Sequence, residues 1–209
     1  MLVLMCIGIT PSHIRFFGID LALGAVIDKK ATTYEHMFLP LYVYRQMLHT
    51  TINEVPFVKQ ETVVLDIQPN KEDTLFILTP VFWLVLLLLM VTYYTLKDYK
   101  EKRRTHWLDL LLFGVTGLAG IVILFLWFFT DHDATKLNFN VLWAFAPNLF
   151  FVFILKKRNL AKGLMIYTLL LLLLLLITIV LWLFKIQIFS VLMSFVLLAL
   201  GIRYTYLAY

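Results

Sequence analysis

Polar and apolar positions are unevenly distributed along this chain. Up to about residue 73 they intermingle; beyond that point long apolar runs alternate with short polar breaks. Residues 75–96 supply about 22 mainly apolar positions, close to the ~20 needed to cross ~30 Å of hydrocarbon. Pro80 falls in the first turns of this run, where proline is tolerated, and Tyr93 and Tyr94 are placed as interfacial aromatics. A second run, 107–129, carries Gly114, Gly117 and Gly120, a small-residue face that lets another helix approach closely. The third, 140–155, is short. At 1.5 Å per residue it rises only about 24 Å, so part of the loop before it must sit at membrane depth. The fourth, 163–184, contains an unbroken leucine run from Leu169 to Leu176, and the fifth covers 186–206. The pattern predicts an all-α polytopic membrane protein. A five-helix transmembrane bundle occupies residues 74–209, behind a short mixed α/β extracytoplasmic segment, residues 1–73.

The first 73 residues read as punctuated, short elements. Residues 1–9 are apolar, but no Lys or Arg precedes them, which makes a poor signal peptide. Residues 14–27 read as a short helix or turn-rich stretch, broken by Gly18 and Gly24. Thr32 and Glu35 fit a capping box, with Thr32 as N-cap and Glu35 at N3. The helix they open runs through residues 36–39, where Pro40 interrupts or ends it. Residues 42–52 form a second helical stretch. Residues 57–67, rich in β-branched side chains between Pro56 and Pro69, read as an edge strand. Domains of about 60 residues are marginal even when well built. This segment has no regular alternation and no staples, so it reads as the end of a larger domain.

Composition sharpens the membrane reading. The chain is 62% hydrophobic, against about 45–50% for ordinary soluble domains. Its net charge is +5, but the basic residues cluster beside apolar runs. That marks orientation in a membrane, whereas nucleic-acid binding needs a basic face on a soluble domain. Lys97, Lys100, Lys102, Arg103, Arg104, Lys156, Lys157, Arg158, Lys162 and Arg203 fall on one side of an alternating five-span arrangement; the opposite short loops hold only Lys136 and Lys185. The positive-inside rule puts the first group in the cytoplasm. The N-terminal region and the loop 131–140 then face outward. Exporting about 70 residues with no signal peptide ahead of them is awkward. The expectation is a chain that begins within a longer protein, or whose start is placed too late. Cys6 is the sole cysteine, so no intrachain disulfide and no cysteine metal site is possible.

Two stretches carry a family resemblance. The first is Ile14-Arg15-Phe16-Phe17-Gly18-Ile19-Asp20-Leu21-Ala22-Leu23-Gly24, followed by Asp28, Ala31, Thr32, Glu35 and Phe38-Leu39-Pro40. The second is Thr130-Asp131-His132 with Thr135, Asn138, Asn140, Leu142-Trp143 and Pro147. Together they resemble the Lnb-type proteins of Bacteroidetes-like bacteria. The resemblance implies a periplasmic thiol-hydrolase-like domain followed by a C-terminal five-helix membrane domain, in proteins whose characterised relatives are lipoprotein N-acyltransferases. It also implies a catalytic cysteine in an Asn-Cys-Ser/Thr-like context and an earlier histidine. Neither motif occurs here. Cys6 lies in an apolar setting, Leu4-Met5-Cys6-Ile7-Gly8, without the electropositive neighbour a reactive thiolate needs. The chain is therefore expected to hold the membrane domain without the catalytic core, and to have no acyltransferase activity by itself.

Candidate chemistry concentrates in residues 130–140. His132 lies between Asp131 and Asp133, where a carboxylate could orient it as a base or as a headgroup contact. Thr135, Lys136, Asn138 and Asn140 complete a polar set suited to lipid or substrate contact, although Asn138 and Asn140 also suit a helix cap. Asn148 lies deeper. It shares a helical face with Asn140 and Ala144, either as interhelical glue or as the lining of a cavity. Arg15, Asp20 and Asp28 are candidates for coupling the outer domain to the membrane. Asp109 is accounted for by Arg103, Arg104 and interfacial water, and Arg203, among tyrosines, reads as an interfacial anchor. Three successive residues cannot easily face one ion, so no metal is expected, and no cofactor. The expected partners are membrane lipid and a lipoprotein substrate, with no nucleic acid. The rival readings are a non-catalytic membrane anchor or interaction module, and a small transporter. Against the transporter, no span carries a file of charges and no inverted repeat is apparent.

Overall fold

The structure is a computed structural model; it describes residues 13–32, 34–64, 77, 79–155 and 161–209. Cys6, residues 1–9, the end of the expected strand at 65–67 and the cluster Lys156, Lys157 and Arg158 lie outside the described residues. The chain divides into two compact units, one drawing on Lys29–Asp73 and the other on Pro11–Asp28 and Thr74–Tyr209.

In the first unit, Thr32 and Glu35 exchange the hydrogen bonds of a capping box, although the N-cap of the helix that follows is Tyr34 and Glu35 is its first residue. Glu35 Oε2 accepts from the Thr32 amide at 2.7 Å and Thr32 Oγ1 accepts from the Glu35 amide at 3.3 Å. That helix is a 3₁₀ turn, Glu35–Phe38. Pro40 does not end a helix but starts one. It stands at the first position of α1 of this unit, Pro40–His49, where a missing N–H costs nothing. The expected strand over 57–67 is corrected. The strands are instead Thr51–Ile52 (β1) and Val55–Pro56 (β2), an antiparallel pair around Asn53 and Glu54. Both turn residues have positive φ, 51° and 66°, as a two-residue type I′ turn requires. Beyond Pro56 no partner strand exists among the described residues. Val63 and Val64 stay exposed, with nothing to pack on.

In the second unit, a short helix α2, His13–Ala22, precedes the bundle in sequence. The bundle consists of α3 (Pro80–Glu101), α4 (His106–Phe128), α5 (Asn148–Leu155), α6 (Ala161–Leu183) and α7 (Met193–Ala208). Three of these, α3, α4 and α6, are long and apolar enough to cross a membrane; α7 is shorter. Their outward faces are apolar. On α4, Leu111, Val115, Leu118, Val122 and Phe125 are all exposed, repeating every three or four residues. Such a stripe is untenable in water and is the lipid face of a multi-pass membrane protein. On α6 the buried positions Leu164, Thr168, Leu171, Leu175 and Thr178 repeat in the same way and face α7.

Three span boundaries differ from the sequence reading. The first helix starts at Pro80 and runs on past the apolar run to Glu101, until Lys102 turns left-handed with φ 51°. The third begins at Asn148 instead of residue 140. Proline disfavours helix in the residue before it and lacks an N–H, so Pro147 fixes the start, and residues 139–147 are 3₁₀ and turn. Eight residues rise only about 12 Å. The fifth begins at Met193, because Lys185 has φ 55° and residues 186–192 run as bends, irregular chain and a turn.

The irregular segment survives inside the bundle because α4 is cut away beneath it. A Cβ on Gly120 would lie 2.0 Å from the Ala144 carbonyl oxygen, and one on Gly117 would lie 2.2 Å from the Leu149 amide. Gly114 is different, since its Cβ would meet only Val152 at 4.0 Å. The close approach expected of the glycine face is thus made by two of its three members.

At the other end of the bundle, where α3, α4 and α7 meet, Arg203 is fully buried. Its Nε donates to Asp109 Oδ1 at 2.6 Å and its Nη1 to Asp98 Oδ2 at 2.7 Å. Arg104 Nε takes the other Asp109 oxygen at 2.6 Å, and Asp98 also accepts from the Thr105 amide and hydroxyl. The sequence expectation is corrected here. Arg203 is no interfacial anchor but the link between three helices, and Asp109 is held by Arg104 and Arg203. Charge this deep is tolerated because every carboxylate oxygen of the pair has a donor.

Candidate functional site at the polar end of the bundle

The other end of the second unit is built from three polar pieces. The first is the C-terminal end of α2 with the 3₁₀ turn Ala25–Asp28; the second is the loop after α4; the third is the connection between α6 and α7. A helix leaves its last carbonyls without intrahelical partners, and in a low-dielectric setting each needs a donor. Side-chain amides supply them. Asn138 Nδ2 donates to the Leu21 carbonyl at 2.9 Å, Asn140 Nδ2 to those of Leu21 and Asp20 at 3.3 and 3.4 Å, and Gln187 Nε2 to that of Leu23 at 3.4 Å.

The same side chains also hold the loop. Asn138 Oδ1 accepts from the Asn140 amide at 3.0 Å, which caps the turn Phe139–Val141. Asn140 Oδ1 accepts from Trp143 Nε1 at 2.8 Å, and Gln187 Oε1 from the Phe139 amide at 2.7 Å. Backbone closes the remaining gaps. The Gly24 amide donates to the Ala134 carbonyl at 2.9 Å and the Ala25 amide to that of Leu137 at 3.1 Å. Only glycine fits at position 24, since a Cβ there would lie 1.9 Å from the Lys136 carbonyl oxygen. Asp28 Oδ2 accepts from the Ile188 amide at 2.7 Å.

The candidate residues therefore divide. Asn138, Asn140 and Thr135 are buried and engaged in structure; the Thr135 hydroxyl donates to the Leu126 carbonyl at 2.8 Å, at the end of α4. Asp131 and His132 are exposed, and neither side chain hydrogen-bonds among the described residues. Lys136 pairs with Asp133 at 2.5 Å on the surface. That bond raises the Lys136 pKa and lowers that of Asp133. Asn148 is not at this end. It lies fully buried between helices, donating to Thr116 Oγ1 at 2.9 Å and accepting from the Tyr167 hydroxyl at 2.6 Å. That is the interhelical contact its polar-and-small stripe suggests. Asp20 and Asp28 belong to this end, and burial raises the pKa of both; for Asp28 the Ile188 amide opposes the rise. Arg15 lies in α2, and its side chain is outside the described residues.

Three partners go unnoticed in the sequence reading. Gln187 is a lone amide within an apolar run, Gly24 reads only as punctuation, and Asp98 hides among lysines. Gln187 had a signal, because an uncharged polar residue at a span end needs partners.

Residues 70–209 match the family model of the Lnb transmembrane domain. The chain belongs to the Lnb transmembrane-domain family. The match covers the bundle and its polar loop, one of the two stretches on which the resemblance rests. No curated protein and no solved structure matches the chain. Among the described residues at the polar end of this Lnb domain, no hydroxyl pairs with a base.

Proposed function

We propose that the chain is the membrane domain of an Lnb-like lipoprotein N-acyltransferase-type protein. In this reading it sits in the bacterial inner membrane, with the N-terminus periplasmic and the C-terminus cytoplasmic. It anchors a periplasmic acyl-transfer domain and holds lipid or lipoprotein at the outer leaflet. The observation that supports this is the polar end, in a chain of this family. Asn138, Asn140 and Gln187 fix three segments together, and Asp131, His132 and Lys136 stand at the surface of that platform. Exposed polar groups beside a lipid-facing surface, two of them, Asp131 and His132, without a hydrogen-bond partner among the described residues, suit headgroup contact.

The rival reading, a plain anchor without a role in chemistry, shares the fold but not the consequence. Mass spectrometry of lipoprotein N-terminal peptides distinguishes them, comparing native cells, cells lacking this chain and cells with it restored. N-acylation should fall without the chain and return with it. In restored cells His132→Ala should lower N-acylation while the amount of inserted chain is unchanged. Normal N-acylation in its absence would refute the proposal.

A further inference from the structure

At the end of the bundle opposite the polar loop, residues 97–109 set the acids Asp98, Glu101 and Asp109 against Lys97, Lys100, Lys102, Arg103 and Arg104. The interior takes two of those acids. Asp98 and Asp109 are buried on Arg203, and Arg104 is spent on Asp109. Lys97, Lys100, Lys102 and Arg103 are left exposed, with no ion pair among the described residues and Glu101 as the one acid of the segment still at the surface. The turn that carries them is fixed. The Arg103 amide donates to the Asp98 carbonyl and the Arg103 carbonyl accepts from the Tyr206 hydroxyl, both at 3.2 Å, while Thr105 donates twice to the Asp98 carboxylate. Lys102 ends α3 in the left-handed region, at φ 51°, where glycine is the usual residue. A lysine is less at ease there than glycine, and it adds a charge to the patch.

We propose that this turn binds the headgroup of an anionic phospholipid. Its level along the helices suits one. Exposed Leu96 and Leu111 carry the apolar surface of α3 and α4 towards the turn, and exposed Tyr99 and Trp107 flank it as aromatic side chains do at headgroup depth. Cations beside that belt meet lipid phosphates at close range, where each Lys or Arg favours an anionic surface about fivefold. A zwitterionic lipid brings its own cation and gains less. Orienting a span requires only that basic residues lie near its end. It does not require the neighbouring acids to be drawn inward onto a buried arginine, or the turn to be held by Asp98 and Tyr206. The inference is independent of the proposed function, since it concerns the opposite end of the bundle and needs no acyl transfer.

Native mass spectrometry of the full chain in detergent tests this, with phosphatidylglycerol and phosphatidylcholine of matched acyl chains as probes. Phosphatidylglycerol should be retained over phosphatidylcholine, and less so as salt rises. Replacing Lys97, Lys100 and Arg103 together with Gln should cut that preference at least about tenfold, whereas Lys185→Gln, at the other end, should leave it unchanged. Lys102→Gly should lower the preference about fivefold while holding or raising the melting temperature, because glycine is at ease at φ 51°. The three other side chains are exposed, so their replacement should not disturb folding; if the triple variant does not fold, Lys102→Gly carries the test. No preference for phosphatidylglycerol, or a preference that these variants leave intact, would overturn the proposal. Displacement of the bound lipid by inorganic phosphate at equal concentration would overturn it as well, by assigning the turn to a soluble anion.

Discussion

Replacing Arg203 with Met probes the charge network at the far end of the bundle. Met has similar bulk and no donors, so Asp98 and Asp109 lose the bonds at 2.7 and 2.6 Å. Removing one partner of a buried pair costs about 3–5 kcal/mol. Here Arg104 still holds one Asp109 oxygen, and Thr105 still donates twice to Asp98. The loss should therefore fall at the low end, about 3 kcal/mol, or roughly two orders of magnitude in the folded-to-unfolded ratio. Unfolding in mixed micelles with increasing denaturing detergent measures it. The decisive comparison adds Asp98→Asn and Asp109→Asn to Arg203→Met. If uncompensated charge causes the loss, neutralising both acids recovers most of it, since well-packed neutral replacements of buried pairs are often nearly neutral. A single Arg203→Met change within about 0.5 kcal/mol of wild type, or a triple variant weaker than the single, would refute the reasoning.

Gly120→Ala should destabilise by about 1–3 kcal/mol, because the new methyl meets backbone of residues 144 and 146, whereas Gly114→Ala should be neutral or stabilising by up to about 1 kcal/mol through helix propensity; the same unfolding assay reads both. Burial raises the pKa of Asp20 and Asp28, so the folded state holds their protons more tightly than the unfolded chain. Their contribution is fully present below the ordinary carboxyl value of 3.8 and is lost as pH rises through the raised folded values. The melting temperature of the Asp20→Asn, Asp28→Asn double variant should therefore gain less than wild type on acidification from neutral pH towards that value. A cysteine at position 101 should be labelled only from the cytoplasmic side, and periplasmic labelling would reverse the proposed orientation.

Helix existence was legible in the sequence, and helix ends were not. The apolar runs mark α3, α4, α6 and α7 because hydrocarbon thickness sets their length. Composition cannot show where backbone leaves the helix. Pro147 carried that signal for α5, because its effect on Ala146 is local, but the apolar character of 141–146 outweighed it in a count of span length. Glycines at 117 and 120 were readable as a close approach, yet what approached, a turn as well as a helix, depended on the tertiary fold. The polar loop was legible as a place, not as an arrangement. Asn138 and Asn140 pair with carbonyls more than a hundred residues earlier, and Arg203 with Asp98 and Asp109 about as far away. Long-range pairing of this kind leaves no periodicity to read.

Residues 20–28 belong to the same compact unit as the bundle and are locked onto its polar end by amide side chains. Hydrogen exchange of the chain in lipid nanodiscs tests this directly. The amides of Gly24, Ala25, Phe139, Asn140 and Ile188 each have a partner across this junction or within its loop. They should be protected together, and Asn138→Ala with Gln187→Ala should expose them together while the cores of α4 and α6 stay protected. Rapid exchange at Gly24 and Ala25 in the wild-type chain, beside a protected bundle, would contradict it.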